Sequence, residues 1–442
     1  MKSSISGFPE LLPQEQIAFN RVANSIREHF EMYGFVPMST AAVERISVLQ
    51  AKGNDNEIYG LYRLADEHSK TDLGLRFDLT VPLARYVSQN GESLIFPFKR
   101  YQIAPVWRGE RPQYGRYRQF HQCDVDIIGD GELSLNYDAE IISLVTWVLA
   151  SLNIPEFHTE INNRKILTGF FSRLVRKDNL INAIRLVDKI DKITSEQFDT
   201  DMTTLLNNSA DISKVRSFFD VNKRGDVDQI LTWLRSLSLG EEFVQGVDEL
   251  DKVVQILKKL GFNDKRIKIS TSLARGLSYY TGTIFEATFD GVKDMGSIAG
   301  GGRYDNLTQT LGNEKKYPGV GATIGVSRLI TKMLESGEMN TDKCSTADLL
   351  VTMQDQSLAP VYMRIANKFR AIGVKTETYL QEKPLKAQLS YANKKGIDFV
   401  LIANEKELVK SEAILRNMRT KEQHIIRTEF IGSDVRDIIA HH

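Results

Sequence analysis

Between positions 14 and 33 the apolar residues Ile17, Phe19, Val22, Ile26 and Phe30 recur near every third or fourth place, and Gly34 follows. That spacing predicts an amphipathic helix packed on a core and stopped by glycine. From Leu75 to Leu83 the period shortens to two, with Leu75, Phe77 and Leu79 alternating with Arg76, Asp78 and Thr80, so a strand with one polar face is expected. The same alternation over residues 100–110 sets Arg108 and Glu110 opposite Ile103, Pro105 and Trp107. Over residues 118–128 it groups Phe120, Gln122, Asp124 and Asp126 against His121, Cys123, Val125 and Ile127. With the turn-rich RPQYGRY between them, these runs predict a long antiparallel hairpin with a chemically dense face.

From about residue 165 to 262 the pattern turns helical and polar, as in LVRKDNLINAIRLVDKI and DVDQILTWLRSL, which predicts a helical insertion. Strand-like, glycine-rich sequence resumes at Ile267 and continues through LARGLSYYTGTIFEATF, GSIAGGGRYDNL and YPGVGATIGVSRLI, segments expected to rejoin the first sheet. After the polar residues 338–346, DLLVTM, a helical stretch, TETYL, a second helical stretch and DFVLIA give a βαβαβ order, hence a small α/β domain with a largely parallel core.

The chain has 442 residues, 42% hydrophobic and 26% charged, enough for two or three units with their own cores. Cys123 and Cys344 are its two cysteines, widely separated, so neither a disulfide framework nor a zinc site has its ligands, and a reducing, cytoplasmic setting fits. No apolar run reaches the length of a membrane span, and MKSSISGFPELLP lacks a secretory or transit pattern, so a soluble, untargeted protein is expected. The formal net charge is zero, so any nucleic-acid contact must be a local patch. The terminal pair His441 and His442 is left out of the reading.

Residues 106–129, VWRGERPQYGRYRQFHQCDVDIIG, carry the densest chemistry, with Arg108, Arg111, Arg116 and Arg118 flanking one loop. A lone arginine is most often a solvated surface charge. A string of guanidinium forks on one loop instead suits phosphate oxygens, and an ATP-like ligand fits. The RxE, loop, GRYRxFxQ order resembles motif 2 of class II aminoacyl-tRNA synthetases in its histidine-specific form. LARGLSYYTGTIFE (273–286) and AGGGRYDNL (299–307) are similar to segments of the histidyl-tRNA synthetase family, and GVGATIGVSRL (319–329) resembles motif 3.

The resemblance, which runs from GFPELLP to about Ile439, implies a class II core: an antiparallel sheet flanked by helices over residues 1–164 and 263–335, interrupted by the helical insertion at 165–262 and followed by an anticodon-binding α/β domain at 345–440. It implies activation of L-histidine with ATP, accompanied by Mg2+, and transfer to tRNA(His) by a cytoplasmic homodimer with no membrane association. Arg108 would grip the α-phosphate, Glu110 read the adenine amino edge, Phe120 stack on adenine, Arg116 and Arg328 hold phosphates, and Arg275 reach the α-phosphate and the histidine carboxylate. Arg275, Arg108 and Gln122 would be catalytic, with no metal ligand assigned to the protein. Asp78, Thr80 and Gln122 suit the substrate ammonium and its surroundings. Asp126, helped by Tyr280 and Tyr304, suits the imidazole, because a polar pocket leaves groups unpaired around an apolar side chain. Tyr279 belongs to the same set, although adjacent residues on a strand face opposite ways, which favours Tyr280 for the cleft.

GGGR at 300–303 and the glycines of 319–325 lack the phosphate-loop continuation and the Rossmann spacing, so tight turns or close sheet packing are expected there. His121 beside Cys123 lacks further ligands and reads as a packed strand residue. KPLKAQLSYANKK (383–395), with four lysines and no acid, suits a solvated helix face or an RNA contact equally. Three positions depart from the family: Ser278 where aspartate is common, Ser327 where an acid precedes Arg328, and Ala41 where motif 1 has proline. A second reading is a synthetase-like regulatory subunit that senses histidine without charging tRNA; a dinucleotide-binding dehydrogenase lacks its fingerprint.

Overall fold

The computed structural model describes residues 5–52, 58–61, 72–113, 115–276, 280–292, 296–306, 308–311, 314–339, 341–429 and 431–440. It divides into two compact units, the first Met1–Pro9 with Val22–Glu338 and the second Glu10–Arg21 with Met339–His442. The first helix spans Pro13–Met32; Pro13 opens it where a missing N–H costs no helical bond, and Gly34, at φ +79°, follows its end. Ile26 and Phe30 are fully buried, as the helical spacing requires.

The first unit is built on an eight-stranded sheet in the order Val36–Pro37, Phe98–Trp107, Gln119–Ile128, Gly319–Ile324, Ala299–Tyr304, Thr283–Phe289, Phe157–Asn163, Ile267–Ile269. All inner pairings are antiparallel, while the outermost strand at each edge runs parallel to its neighbour, so the sheet is mixed. Those edge strands have two and three residues, too short to leave a periodic signature. The predicted hairpin is present, with Arg100 opposite Asp126, Gln102 opposite Asp124 and Ala104 opposite Gln122. Helix Asn136–Ser151 covers the sheet with Ile141, Leu144, Val145 and Val148 and is joined to strand Ala299–Tyr304 by a buried pair, the Arg303 Nη2 lying 2.6 Å from Asp138 Oδ1.

The strand expected over 75–83 is a correction. Only Leu73–Leu75 is extended, and Thr80–Asn90 is a helix. The alternation is only three pairs long, and the buried Val81, Ala84 and Val87 that follow have helical spacing. Pro82 lies in the first turn, where backbone N–H groups have no helical acceptor. Asp78 Oδ1 accepts the Val81 N–H at 2.9 Å and satisfies one of those donors.

Between strands Phe157–Asn163 and Ile267–Ile269 lie the helices Arg164–Phe171, Leu180–Val187, Ser195–Leu205, Ile212–Phe219, Val227–Leu237 and Glu241–Lys259, matching the helical character of that stretch. Asn163 caps the first of them by accepting the Lys165 N–H. In the second unit strand Leu349–Val351 pairs in parallel with Thr376–Thr378 and Phe399–Ile402. The antiparallel strands Glu412–Asn417 and Gln423–Arg427 extend this parallel core, a hairpin the βαβαβ reading did not include. Helices Ala359–Ala371 and Leu385–Lys395 pack on the sheet. Within the lysine-rich segment, Lys395 pairs with Glu377 at 2.9 Å, while Lys383, Lys386 and Lys394 are exposed.

Candidate active site

The hairpin strands, strand Gly319–Ile324 and the segment after Leu273 converge on one cleft of about 270 Å³, lined by Asp78, Thr80, Arg108, Glu110, Arg116, Phe120, Gln122, Arg275, Tyr280 and Arg328, with Ser297, Gly300, Thr323 and Ser327 among the rest. Three segments far apart in sequence therefore deliver their arginines to one place. Arg108 Nε donates to the Phe77 carbonyl at 3.1 Å, and its guanidinium lies 5.2 Å from the centre of the Phe120 ring. Arg328, in the first turn of helix Val326–Glu335, donates to the carbonyls of Gly115 at 3.2 Å and Ser297 at 2.5 Å. Arg275 pairs with Glu286 at 2.5 Å and donates to Ser297 Oγ at 2.9 Å; Arg116 pairs with Glu110.

Neutral carbonyls orient Arg108 and Arg328 without cancelling their charge. Burial pushes the Arg328 guanidinium below its ordinary value, and the positive charges of Arg275, Arg116 and Arg108 push it the same way. An arriving polyanion relieves that repulsion, and several preset donors can follow charge as it develops on phosphoryl oxygens. Ser327 accepts the His121 N–H at 2.9 Å, and the orientation of Arg328 is left to the two carbonyls.

The opposite end is acidic and buried. Asp78, Thr80 and Gln122 face the cleft; behind them lie Arg100, Gln102, Asp124, Asp126 and Tyr304. Arg100 has no exposed surface and its Nη2 lies 2.6 Å from Asp126 Oδ2. Tyr304 donates its hydroxyl to Asp126 Oδ1 at 2.6 Å, and burial together with the charge of Asp126 pushes that phenol well up. Burial also pushes Asp124 up to about 7, with Arg100 the strongest opposing influence. The carboxylate of Asp126 occupies space left by Gly321, where an added Cβ would come 1.9 Å from Oδ1; at Gly300 an added Cβ would come 2.5 Å from Arg275 Nη1. These glycines serve close sheet packing.

Of the residues named from sequence, Arg108, Glu110, Arg116, Phe120, Gln122, Asp78, Thr80, Arg275, Tyr280 and Arg328 line the cleft. Asp126 and Tyr304 sit in the buried layer behind it, and Tyr279 and Ser278 lie outside the described residues. Arg111 is exposed, and Arg118 ties the loop to the N-terminal segment through its backbone N–H to the Gly7 carbonyl. Arg100, Gln102, Glu286, Ser297 and Thr323 were not singled out. Arg100 and Gln102 were accessible: they share the parity of Arg108 and, through the hairpin register, the face of Asp126 and Asp124. His121 and Cys123 are strand residues, and burial pushes the Cys123 thiol up.

Comparison with known proteins identifies the family. The family described as histidyl-tRNA synthetase matches residues 7–329, and that described as anticodon binding domain matches residues 348–437. The histidine–tRNA ligase of Clostridium tetani is 39% identical over 97% of this chain and 96% of its own length. The crystal structure of histidyl-tRNA synthetase from Nostoc sp. PCC 7120 superposes with a TM-score of 0.88 at 37% identity, covering 100% of this chain and 99% of that one. A Bacillus halodurans structure titled ATP phosphoribosyltransferase regulatory subunit/histidyl-tRNA synthetase shares the fold, with a TM-score of 0.73 at 19% identity over 88% of this chain and 96% of its own.

Proposed function

The chain belongs to the histidyl-tRNA synthetase family, and from that premise we propose how its cleft carries out the reaction. The activity is ATP-dependent ligation of histidine to tRNA. ATP lies along the arginine-lined end: Phe120 stacks on adenine, Glu110 reads its amino edge, Arg108 and Arg275 hold the α-phosphate, and Arg116 and Arg328 hold the outer phosphates. Histidine enters the acidic end, its ammonium beside Asp78, Thr80 and Gln122 and its ring toward Tyr280 and the Asp126–Tyr304 pair. The substrate carboxylate attacks the α-phosphorus, pyrophosphate leaves, and the terminal ribose hydroxyl of tRNA(His) takes the histidyl group from the adenylate.

No protein nucleophile is required; Arg108 and Arg275 stabilise charge that grows on the phosphoryl oxygens, and Gln122 fixes the amino acid. Mg2+ would accompany ATP and supply further positive charge to the phosphates that Arg108, Arg116, Arg275 and Arg328 hold. Residues 1–164 and 263–335 act as the catalytic core, 165–262 as the insertion and 345–440 as the anticodon-binding domain, in a cytoplasmic homodimer. Among the described residues no helix is long and apolar enough to cross a membrane.

The observation that carries this reading is the convergence of Arg108, Arg116, Arg275 and Arg328 opposite Asp78, Thr80 and Gln122 in one cleft. The sensor reading is not favoured, because the curated relatives matched over nearly the whole chain are ligases. Labelled pyrophosphate is expected to exchange into ATP only when L-histidine is present. Folded protein that binds histidine yet exchanges none would overturn the assignment in favour of a sensor.

A further inference from the structure

Resting on that reading, the amino-acid end of the cleft carries one more functional residue. Asp124 lies on the same face of strand Gln119–Ile128 as Gln122 and Asp126, opposite Gln102 in one neighbouring strand and Thr323 in the other. It is 1% exposed, accepts the Thr323 hydroxyl, and its Oδ1 has no hydrogen-bond partner among the described residues. Thr323, Gln122 and Asp78 all line the cleft, so Asp124 is one side chain behind its wall.

The charged groups around it come from each packed element. Strand Phe98–Trp107 brings Arg100, its own strand Asp126, the entry to helix Thr80–Asn90 Asp78, and the preceding segment Arg76. Strand Gly319–Ile324 brings only the uncharged Thr323, and the Cys123 thiol faces away on the other side of Asp124's own strand. Arg100 is engaged by Asp126 at 2.6 Å, and Arg76 is turned to the Thr40 carbonyl at 2.7 Å and the Pro105 carbonyl at 3.1 Å. Three carboxyl groups thus share this layer with two arginines, Arg100 paired to Asp126 and Arg76 held by carbonyls, and a cation placed beside Asp78 and Gln122 supplies the third positive charge.

We propose that Asp124 is a positioning residue for the amino-acid substrate, giving up its proton to water as the substrate ammonium arrives, so that cation binding and Asp124 ionisation are a single event. No covalent bond forms or breaks except that O–H bond. Burial holds the carboxyl at about 7, against the pull of Arg100 and the Thr323 hydroxyl and with the help of Asp126 and Asp78, so near neutral pH it has a proton to release. Thr323, which donates its hydroxyl to Asp124 and lines the cleft, is the group through which it acts.

The test is the histidine KM in pyrophosphate exchange between pH 6 and 8.5 for the wild-type chain and Asp124→Asn. Taking the ratio of the two cancels the titration of histidine itself. Asparagine mimics the neutral acid, so the variant's histidine KM is expected to exceed wild type about tenfold at pH 8 and to come within about twofold at pH 6, for a shift of about one unit on binding. The ATP KM stays constant, and calorimetry in buffers of different ionisation enthalpy shows proton release that the variant lacks. A ratio that does not change with pH overturns the proposal. Where Asp124→Asn does not fold, Thr323→Val decides: loss of the donated hydroxyl moves the inflection of histidine KM to higher pH, and an unmoved inflection is equally fatal. A wild-type chain with no histidine-dependent exchange at all removes the ligase reading, and this proposal with it.

Discussion

At the arginine-lined end of the cleft, Arg108 and Arg328 are partly exposed and held by backbone carbonyls; at the acidic end Arg100, Asp124 and Asp126 are buried, with Arg100 paired to Asp126 and Asp124 beside that pair. The first arrangement leaves net positive charge facing solvent, ready for a ligand that brings its own negative charge. The second closes its charges inside the sheet, where each unpaired group is expensive and removal of one member exposes the others. The same residue type therefore lines an open cleft in one place and is an internal counter-ion in the other.

The difference is open to direct attack. The largest effect is expected from Arg100→Leu, which leaves Asp126 and Asp124 without their buried partner: unfolding free energy should fall by roughly 3–5 kcal/mol, read by denaturant titration. Asp124→Asn should act in the opposite direction. A carboxyl at about 7 in the folded chain and 3.8 as its ordinary value binds more protons folded than unfolded, so stability declines as pH rises from about 4 to 7. The asparagine variant should match wild type below pH 4 and exceed it at pH 8 by something on the order of 4 kcal/mol in the same titration. At the other end Arg275→Ala should leave stability nearly unchanged but slow pyrophosphate exchange by roughly 10²–10³-fold, about 3–4 kcal/mol of transition-state stabilisation. A large loss of stability there would erase the contrast between the two ends. The smallest effect belongs to Phe120→Leu, which keeps apolar volume but removes the stacking face: the ATP KM should rise about fivefold, on the order of 1 kcal/mol, with the histidine KM unmoved.

Much of this was legible from residue pattern. The period-two runs around RPQYGRY gave the hairpin and the face on which Phe120, Gln122, Asp124 and Asp126 stand together, and the helical stretch after residue 164 gave the insertion. Motif resemblance then supplied what periodicity does not, namely that Arg275 and Arg328 meet Arg108 across more than 150 residues of chain. The segment at 76–83 misled because three alternating pairs are compatible with an extended run that turns into a helix, and only the capping contact from Asp78 decides between them. Arg100 escaped notice because an arginine in a strand is usually solvated; its burial depends on a partner across the hairpin and on the depth of the layer behind the cleft, neither of which a local window contains.

The bare stretches of strands Ala299–Tyr304 and Gly319–Ile324 act by subtraction. Because Gly300 and Gly321 place no atoms above the sheet, Arg275 and Asp126 can lie flat against the backbone, and the sheet becomes a mould whose hollows have the shapes of its neighbours' side chains. A single added methyl at either position would touch a different member of the machinery, so the two glycines are independent controls on which end of the cleft is deformed.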